Sequence, residues 1–148
     1  MRDSQRRRVY DWEYASLFTH ETGNRSMTRD EVVALVEAIA KDWDVTAPRV
    51  RFRRHSSGAW CEFVGRIRFG EYSMKPRIVI HEMAHHIIHC RLGSSPAGHG
   101  PEFARMVMTL YNRYLDVPLR YMRAKATEGR VTIAPAGDAY KPKKRGQP

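Results

Sequence analysis

Residues 77–103 read RIVIHEMAHHIIHCRLGSSPAGHGPEF, and the fold is decided inside this stretch. At its centre, His81-Glu82-Met83-Ala84-His85 sets two histidines four residues apart. On an α-helix such residues lie about 40° apart round the axis and one turn apart along it, so both imidazoles share a face. Two neutral imidazoles preset in this way suit a borderline-soft ion such as Zn²⁺. Glu82 is turned by about 100° from His81, which puts it beside the ion without ligating it. There a carboxylate can act as general base towards a metal-activated water. Ile78, Ile80, Met83, Ala84, Ile87, Ile88 and Cys90 make the helix apolar on more than one side, as a buried site helix must be. Pro76 suits its first turn and Gly93 its end. His86 and His89 read as neighbours of the site, since no glutamate follows His85.

A catalytic zinc usually takes three protein ligands and keeps one position open. Thirteen residues separate His85 from His99, which opens His-Gly-Pro-Glu-Phe. Gly98 and Gly100 permit a tight turn around it, and Pro101 is placed to begin a second helix, running to Leu115. Phe103, Met106, Val107, Leu110 and Tyr114 recur there at helical spacing. A Gly-Ser-Ser-Pro loop folds this helix back over the first and brings His99 to the metal, with Glu102 the alternative third ligand.

HEMAH, a loop and then HGPEF resemble the zinc-peptidase core of the SprT-like family, which includes the Spartan-type DNA–protein crosslink proteases. The resemblance covers roughly residues 50 to 115 and lies in the two motifs together. It implies that His81, His85 and His99 bind one Zn²⁺ per chain and that Glu82 is the catalytic base. It also implies a zincin-like (minigluzincin) fold. The opening MRDSQRRRVYDWE resembles a group of small metallohydrolase-like proteins of actinobacteria and their phages. SprT-like proteins often carry a four-cysteine zinc ribbon, which the two cysteines of this sequence, Cys61 and Cys90, cannot build.

Upstream, residues 2–18 read as an amphipathic helix with Val9, Trp12, Leu17 and Phe18 inward, stopped by Gly23-Asn24. Thr28-Arg29-Asp30-Glu31 is a capping box, and Val32, Leu35, Val36, Ile39 and Trp43 continue it as a second helix. From Arg49 the period changes to two. Val50 and Phe52 alternate with Arg51 and Arg53, Ser56-Ser57-Gly58 turns the chain, and Ala59–Val64 and Arg66–Phe69 give two more strands. We expect a small antiparallel sheet of three strands, apolar face on the helices and arginines outward. The segment Gly65–Tyr72 is the expected edge for pairing with an extended peptide. Downstream, a short helix is expected over Leu119–Thr127 and an edge strand over Arg130–Ala134, with no structure past Pro135. Tyr111, Tyr114 and Tyr121 are candidate oxyanion donors, though packing is the better explanation of each. The class is α+β: one domain over residues 1–134, then a basic, disordered tail over 135–148.

The formal charge of +10 is uneven. Residues 1–8 hold four arginines against one aspartate, residues 49–77 eight basic against two acidic residues, and residues 123–148 seven against two. Such zones suit a polyanion such as DNA, with Arg51, Arg53, Arg66 and Arg68 as candidate contacts to substrate or nucleic acid. A solvated surface with a basic tail accounts for the same charge. No apolar run approaches a membrane span and no secretory h-region is seen, so no membrane partner and a cytoplasmic setting are expected. The function expected is zinc-dependent hydrolysis of a protein or peptide, on DNA-associated proteins if the family likeness extends to substrate. The alternatives are a repressor-cutting protease of the ImmA/IrrE kind and a non-catalytic module in which zinc, closed by Cys90 or Glu102, only joins the helices.

Overall fold

The computed structural model describes residues 3–62 and 65–143. They form α1 (Arg6–Leu17), a one-turn α2 (Glu21–Asn24), α3 (Arg29–Trp43), strands β1 (Arg49–Arg53), β2 (Ala59–Glu62) and β3 (Arg66–Gly70), then α4 (Pro76–Leu92), α5 (Pro101–Leu115) and α6 (Leu119–Glu128). The class is α+β, and no helix of the described residues is long and apolar enough to cross a membrane.

Local chemistry fixes the helix ends. At the start of α3, Glu31 N–H donates to the Thr28 hydroxyl at 3.2 Å while the Glu31 carboxylate accepts from Thr28 N–H at 2.7 Å. This reciprocal box satisfies two otherwise orphaned donors. Pro76 and Pro101 each stand in the first turn of their helix, where a missing N–H costs nothing. Gly93 ends α4 at φ +72°, a backbone conformation that a side chain would strain.

α4 is the central element, packed on α3, α5 and β2. Cover on three sides explains why Val79, Ile80, Met83, Ala84 and Ile87 are all fully buried on a helix with no polar stripe. One apolar cluster runs from Val9 to Val131 and includes Trp12, Trp43, Phe69 and Phe103. Burying each large side chain contributes about 1.5–3 kcal/mol. Phe18, expected inward, is exposed instead, because α1 stops one residue earlier and the Asn24 amide caps the Leu17 carbonyl at 2.6 Å.

The sheet is mixed, not antiparallel as expected. Its order is β1-β3-β2, with β2 antiparallel to β3 and β1 parallel to it. Residues 54–65 carry the chain from β1 to β3, about the dozen positions a parallel crossover needs, and β2 fills part of that span. RVRFR and RIRFG then pair like with like: Val50 with Ile67 and Phe52 with Phe69 on the core side, Arg49 with Arg66 and Arg51 with Arg68 on the other. Gly70 is required where the 54–58 turn crosses it, since a Cβ there would stand 2.2 Å from the Ser56 carbonyl oxygen.

Three further expectations change. Gly65–Tyr72 is not a sheet edge, because β3 is paired on both sides; the edges are β1 and β2. Arg130–Ala134 forms no strand: Thr132 is instead held through both its N–H and its carbonyl by the Gln5 side chain, at 3.0 and 3.1 Å. The chain past Pro135 lies against the helices as far as Lys143. Arg91 donates to the carbonyls of Trp43, Ala139 and Lys141, and Lys143 pairs with Asp44 at 2.7 Å. The last two positions of the second expected strand and residues 144–148 of the expected tail lie outside the described residues.

Candidate metal centre

The helical spacing of His81 and His85 brings their Nε2 atoms to 3.3 Å from each other. His81 Nδ1 donates to both carboxylate oxygens of Glu13, at 2.9 and 3.0 Å. A carboxylate can only accept, so Nδ1 holds the proton and Nε2 is left with its lone pair bare. His99 is held likewise: Nδ1 meets Asp3 Oδ2 at 2.8 Å, and its buried Nε2 has no hydrogen-bond partner. The three imidazoles offer donor atoms that all lie within 4.8 Å of one another, and among the described residues no other histidine, cysteine, aspartate or glutamate joins them.

Bare lone pairs turned towards one another repel unless a cation stands between them. Two nitrogens at about 2.0–2.1 Å from a tetrahedral zinc are themselves about 3.3–3.4 Å apart, which matches the His81–His85 spacing. The donor set therefore fits a divalent ion. Phe103, the first apolar residue of α5, packs against all three rings at centroid distances of 4.9, 4.3 and 5.0 Å. Tyr10 of α1 stacks on His81 at 5.5 Å and leans on His99 at 4.8 Å.

Electrostatics follow from burial and from these partners. Burial would lower the pKa of His81, but the adjoining Glu13 carboxylate outweighs it and the pKa is raised. Burial, then the neighbouring His81 and His99, hold His85 well below the usual imidazole value. Burial also lowers the pKa of His99, against the opposing hydrogen bond that it donates to Asp3. Glu82 is buried, and desolvation raises its pKa despite the nearby His81. Glu82 lines a cavity of about 440 Å³ together with Tyr10, Glu13, Arg77, His81 and Tyr111.

Thus the loop and α5 bring His99 to the α4 pair, and Glu102 stays outside the cluster. Cys90 also lies outside it, with its sulfur 3.6 Å from His86 Nε2; that nitrogen in turn meets the Thr46 carbonyl at 2.8 Å. Tyr111 is committed: its hydroxyl donates to Glu13 at 2.5 Å, and burial followed by Glu13 pushes its pKa well above that of an ordinary phenol. Tyr114 donates to Asp42 at 2.7 Å and Tyr121 to the Ala15 carbonyl at 3.4 Å, neither of them on the cavity.

Arg51, Arg53, Arg66 and Arg68 do not line the cavity. With Arg49 they cover the outer face of the sheet, where Arg53 and Arg68 lie over the Trp60 ring at 5.9 and 5.6 Å. Glu62 from β2 partly neutralises this face through Arg66 at 3.4 Å and Arg68 at 2.8 Å.

Sequence reasoning missed Glu13, Asp3 and Tyr10. Glu13 had a signal: it stands one turn after Val9 and next to Trp12 on the inward face of α1, where an ionisable group needs a partner. Asp3 and Tyr10 had none beyond lying on or before the same helix. Comparisons with protein-family models, with curated proteins and with solved structures find no match to this chain.

Proposed function

We propose that the chain is a zinc-dependent peptidase of the HExxH type, similar in its site to SprT-like proteins and built on a zincin-like arrangement of α4, α5 and the sheet. One observation carries the reading: the donor atoms of three imidazoles converge beside a buried glutamate, and among the described residues no fourth side chain closes the set. A structural zinc site is closed by four protein ligands, whereas a catalytic one keeps a position open. That favours an enzyme over a module held together by zinc. The position of His99 favours the SprT-like arrangement over the ImmA/IrrE kind.

Bound at His81, His85 and His99, zinc supplies Lewis acidity towards a carbonyl oxygen and lowers the pKa of a water beside it. Glu82 accepts one proton from that water as its oxygen bonds to the peptide carbon. As the C–N bond breaks, Glu82 returns the proton to the leaving nitrogen, giving a carboxylic acid and an amine. Glu13 and Asp3 fix the tautomers of His81 and His99, so that each Nε2 stays aimed at the ion. β2 is the sheet edge packed against α4, its Cys61 backbone N–H held by the Glu82 carboxylate, and an extended substrate would pair along it.

The partner reading has its own support. Five arginines and Trp60 share the outer face of the sheet, which suits a phosphate backbone, and hence action on DNA-associated protein. The two free thiols suit a reducing cytoplasm. The test compares wild type with Glu82→Gln for zinc content and for cleavage of casein and of a DNA-bound protein, with and without single-stranded DNA. Equal zinc with cleavage lost in the variant supports the peptidase, and stimulation by DNA supports the partner. Zinc bound one per chain with no hydrolysis of either substrate overturns the enzyme reading.

A further inference from the structure

The peptidase chemistry needs a donor for the oxygen that gains negative charge as the carbonyl is attacked, and the described residues narrow the choice. Tyr111 and Tyr114 already donate to Glu13 and Asp42. Ser73 donates to the Gly58 and Gly70 carbonyls at 3.0 and 2.9 Å, and Arg77 Nε to Asn24 at 2.7 Å. Tyr10 also has a partner, but its hydroxyl accepts from the donor-only Arg6 side chain, which leaves the phenolic hydrogen free to donate. Its ring rests on two of the three metal-binding imidazoles, at 5.5 and 4.8 Å, and it also lines the cavity that holds Glu82. It is 42% exposed, so a substrate entering the cavity can reach it. One turn earlier on α1, the Arg6 guanidinium lies 5.8 Å from the same ring and adds positive charge there.

We propose that Tyr10 is a catalytic residue, its hydroxyl donating to the substrate oxygen that becomes the oxyanion, from a ring fixed against His81 and His99. This rests on the peptidase reading above. The donor comes from α1, on the wall of the cavity supplied by the N-terminal helix, whereas Glu82 comes from α4. A substrate carbonyl between them meets a base from one helix and a hydrogen-bond donor from the other. Such a donor acts on the transition state and hardly on the ground state, which gives it a kinetic signature distinct from packing.

The experiment loads wild type, Tyr10→Phe and Tyr121→Phe with zinc and confirms one ion per chain. It then measures kcat and KM on a fluorogenic peptide, and calorimetric binding of a phosphinic peptide whose tetrahedral anion mimics the oxyanion. Tyr10→Phe should keep its zinc and a KM within about twofold, lose about 10²-fold in kcat, and bind the phosphinic peptide more weakly by a comparable factor. Tyr121→Phe, with its hydroxyl off the cavity, should match wild type. Unchanged kcat and phosphinic affinity in Tyr10→Phe overturn the role of Tyr10 and leave the peptidase standing. Zinc lost from Tyr10→Phe also overturns it, because the ring would then serve only to hold the histidines. A wild type that neither cleaves peptides nor binds the phosphinic peptide removes the peptidase reading, and this one with it.

Discussion

Glu13 and His81 stand 68 residues apart in sequence and meet at 2.9 Å, the Glu13 carboxylate accepting the Nδ1–H of the first HExxH histidine. The same carboxylate takes the Tyr111 hydroxyl, so α1, α4 and α5 are joined at one buried acid directly behind the converging histidines. Removing the charge while keeping an acceptor, as in Glu13→Gln, should weaken zinc binding about tenfold, the lower end of the range for such outer-shell partners. Competition with a chromogenic chelator measures it, and an unchanged affinity would show that the carboxylate does not tune the ligand.

Asp3 performs the same service for His99 from a wetter position, its side chain 28% exposed against 7% for Glu13. Water screens the interaction, so Asp3→Asn should cost less zinc affinity than Glu13→Gln in the same assay. A larger loss at Asp3 would mean that the N-terminal segment positions His99 sterically.

Phe103 supports all three imidazoles from α5. Phe103→Ala opens a cavity directly under them and should destabilise the fold by about 3–5 kcal/mol, read by urea denaturation of the metal-free protein. Zinc affinity should fall as well, because the rings lose the surface that fixes them. Phe103→Leu, which refills most of the space, should recover most of both.

Acid should act on the metal-free protein through His85. Its folded pKa is depressed by burial, while the unfolded chain titrates near about 6.5. The unfolded state therefore binds the proton first, so the stability that His85 contributes is present above that value and lost as the pH falls below it. The stability difference between wild type and His85→Gln should shrink between about pH 7.5 and 5, by at most about 1.4 kcal/mol per pH unit. A difference independent of pH would show that the imidazole is not held neutral.

The arginines of the sheet make a separate prediction about salt. Among the described residues Arg51 and Arg53 have no carboxylate partner to match Glu62, which holds Arg66 and Arg68. If single-stranded DNA is bound on this face, Arg51→Ala and Arg53→Ala should each lower the slope of log affinity against log salt by about 0.7. Fluorescence anisotropy at several salt concentrations measures it; slopes equal to wild type would place the partner elsewhere.

Much of the site was legible because its signals are local. Pro76 and Gly93, and then Pro101, marked the ends of α4 and the start of α5 on which His81, His85 and the loop before α5 depend. The Thr28–Glu31 box did the same for α3. What could not be read was pairing at a distance. RVRFR and AWCE lie next to each other in sequence and read as a hairpin, yet the first strand pairs with RIRFG beyond, because only that register stacks Val50 on Ile67 and Phe52 on Phe69. The carboxylates of Glu13 and Asp3 were hidden for a similar reason: local spacing does not show which of sixteen acidic side chains will meet a histidine nearly seventy or a hundred positions on.

The two rims of the sheet are unlike, and this bears on how the molecule avoids its own kind. β1 ends the sheet with Arg49, Arg51 and Arg53, all exposed, so a second copy arriving strand to strand would bring six guanidinium groups together. Charged rims of this sort discourage the stacking that leads to fibres. β2 has no such repulsion and is only four residues long, enough for a short guest and too little to template a growing ladder. If an extended substrate docks along β2, the row of like charges on β1 discourages a second copy from pairing at the opposite rim.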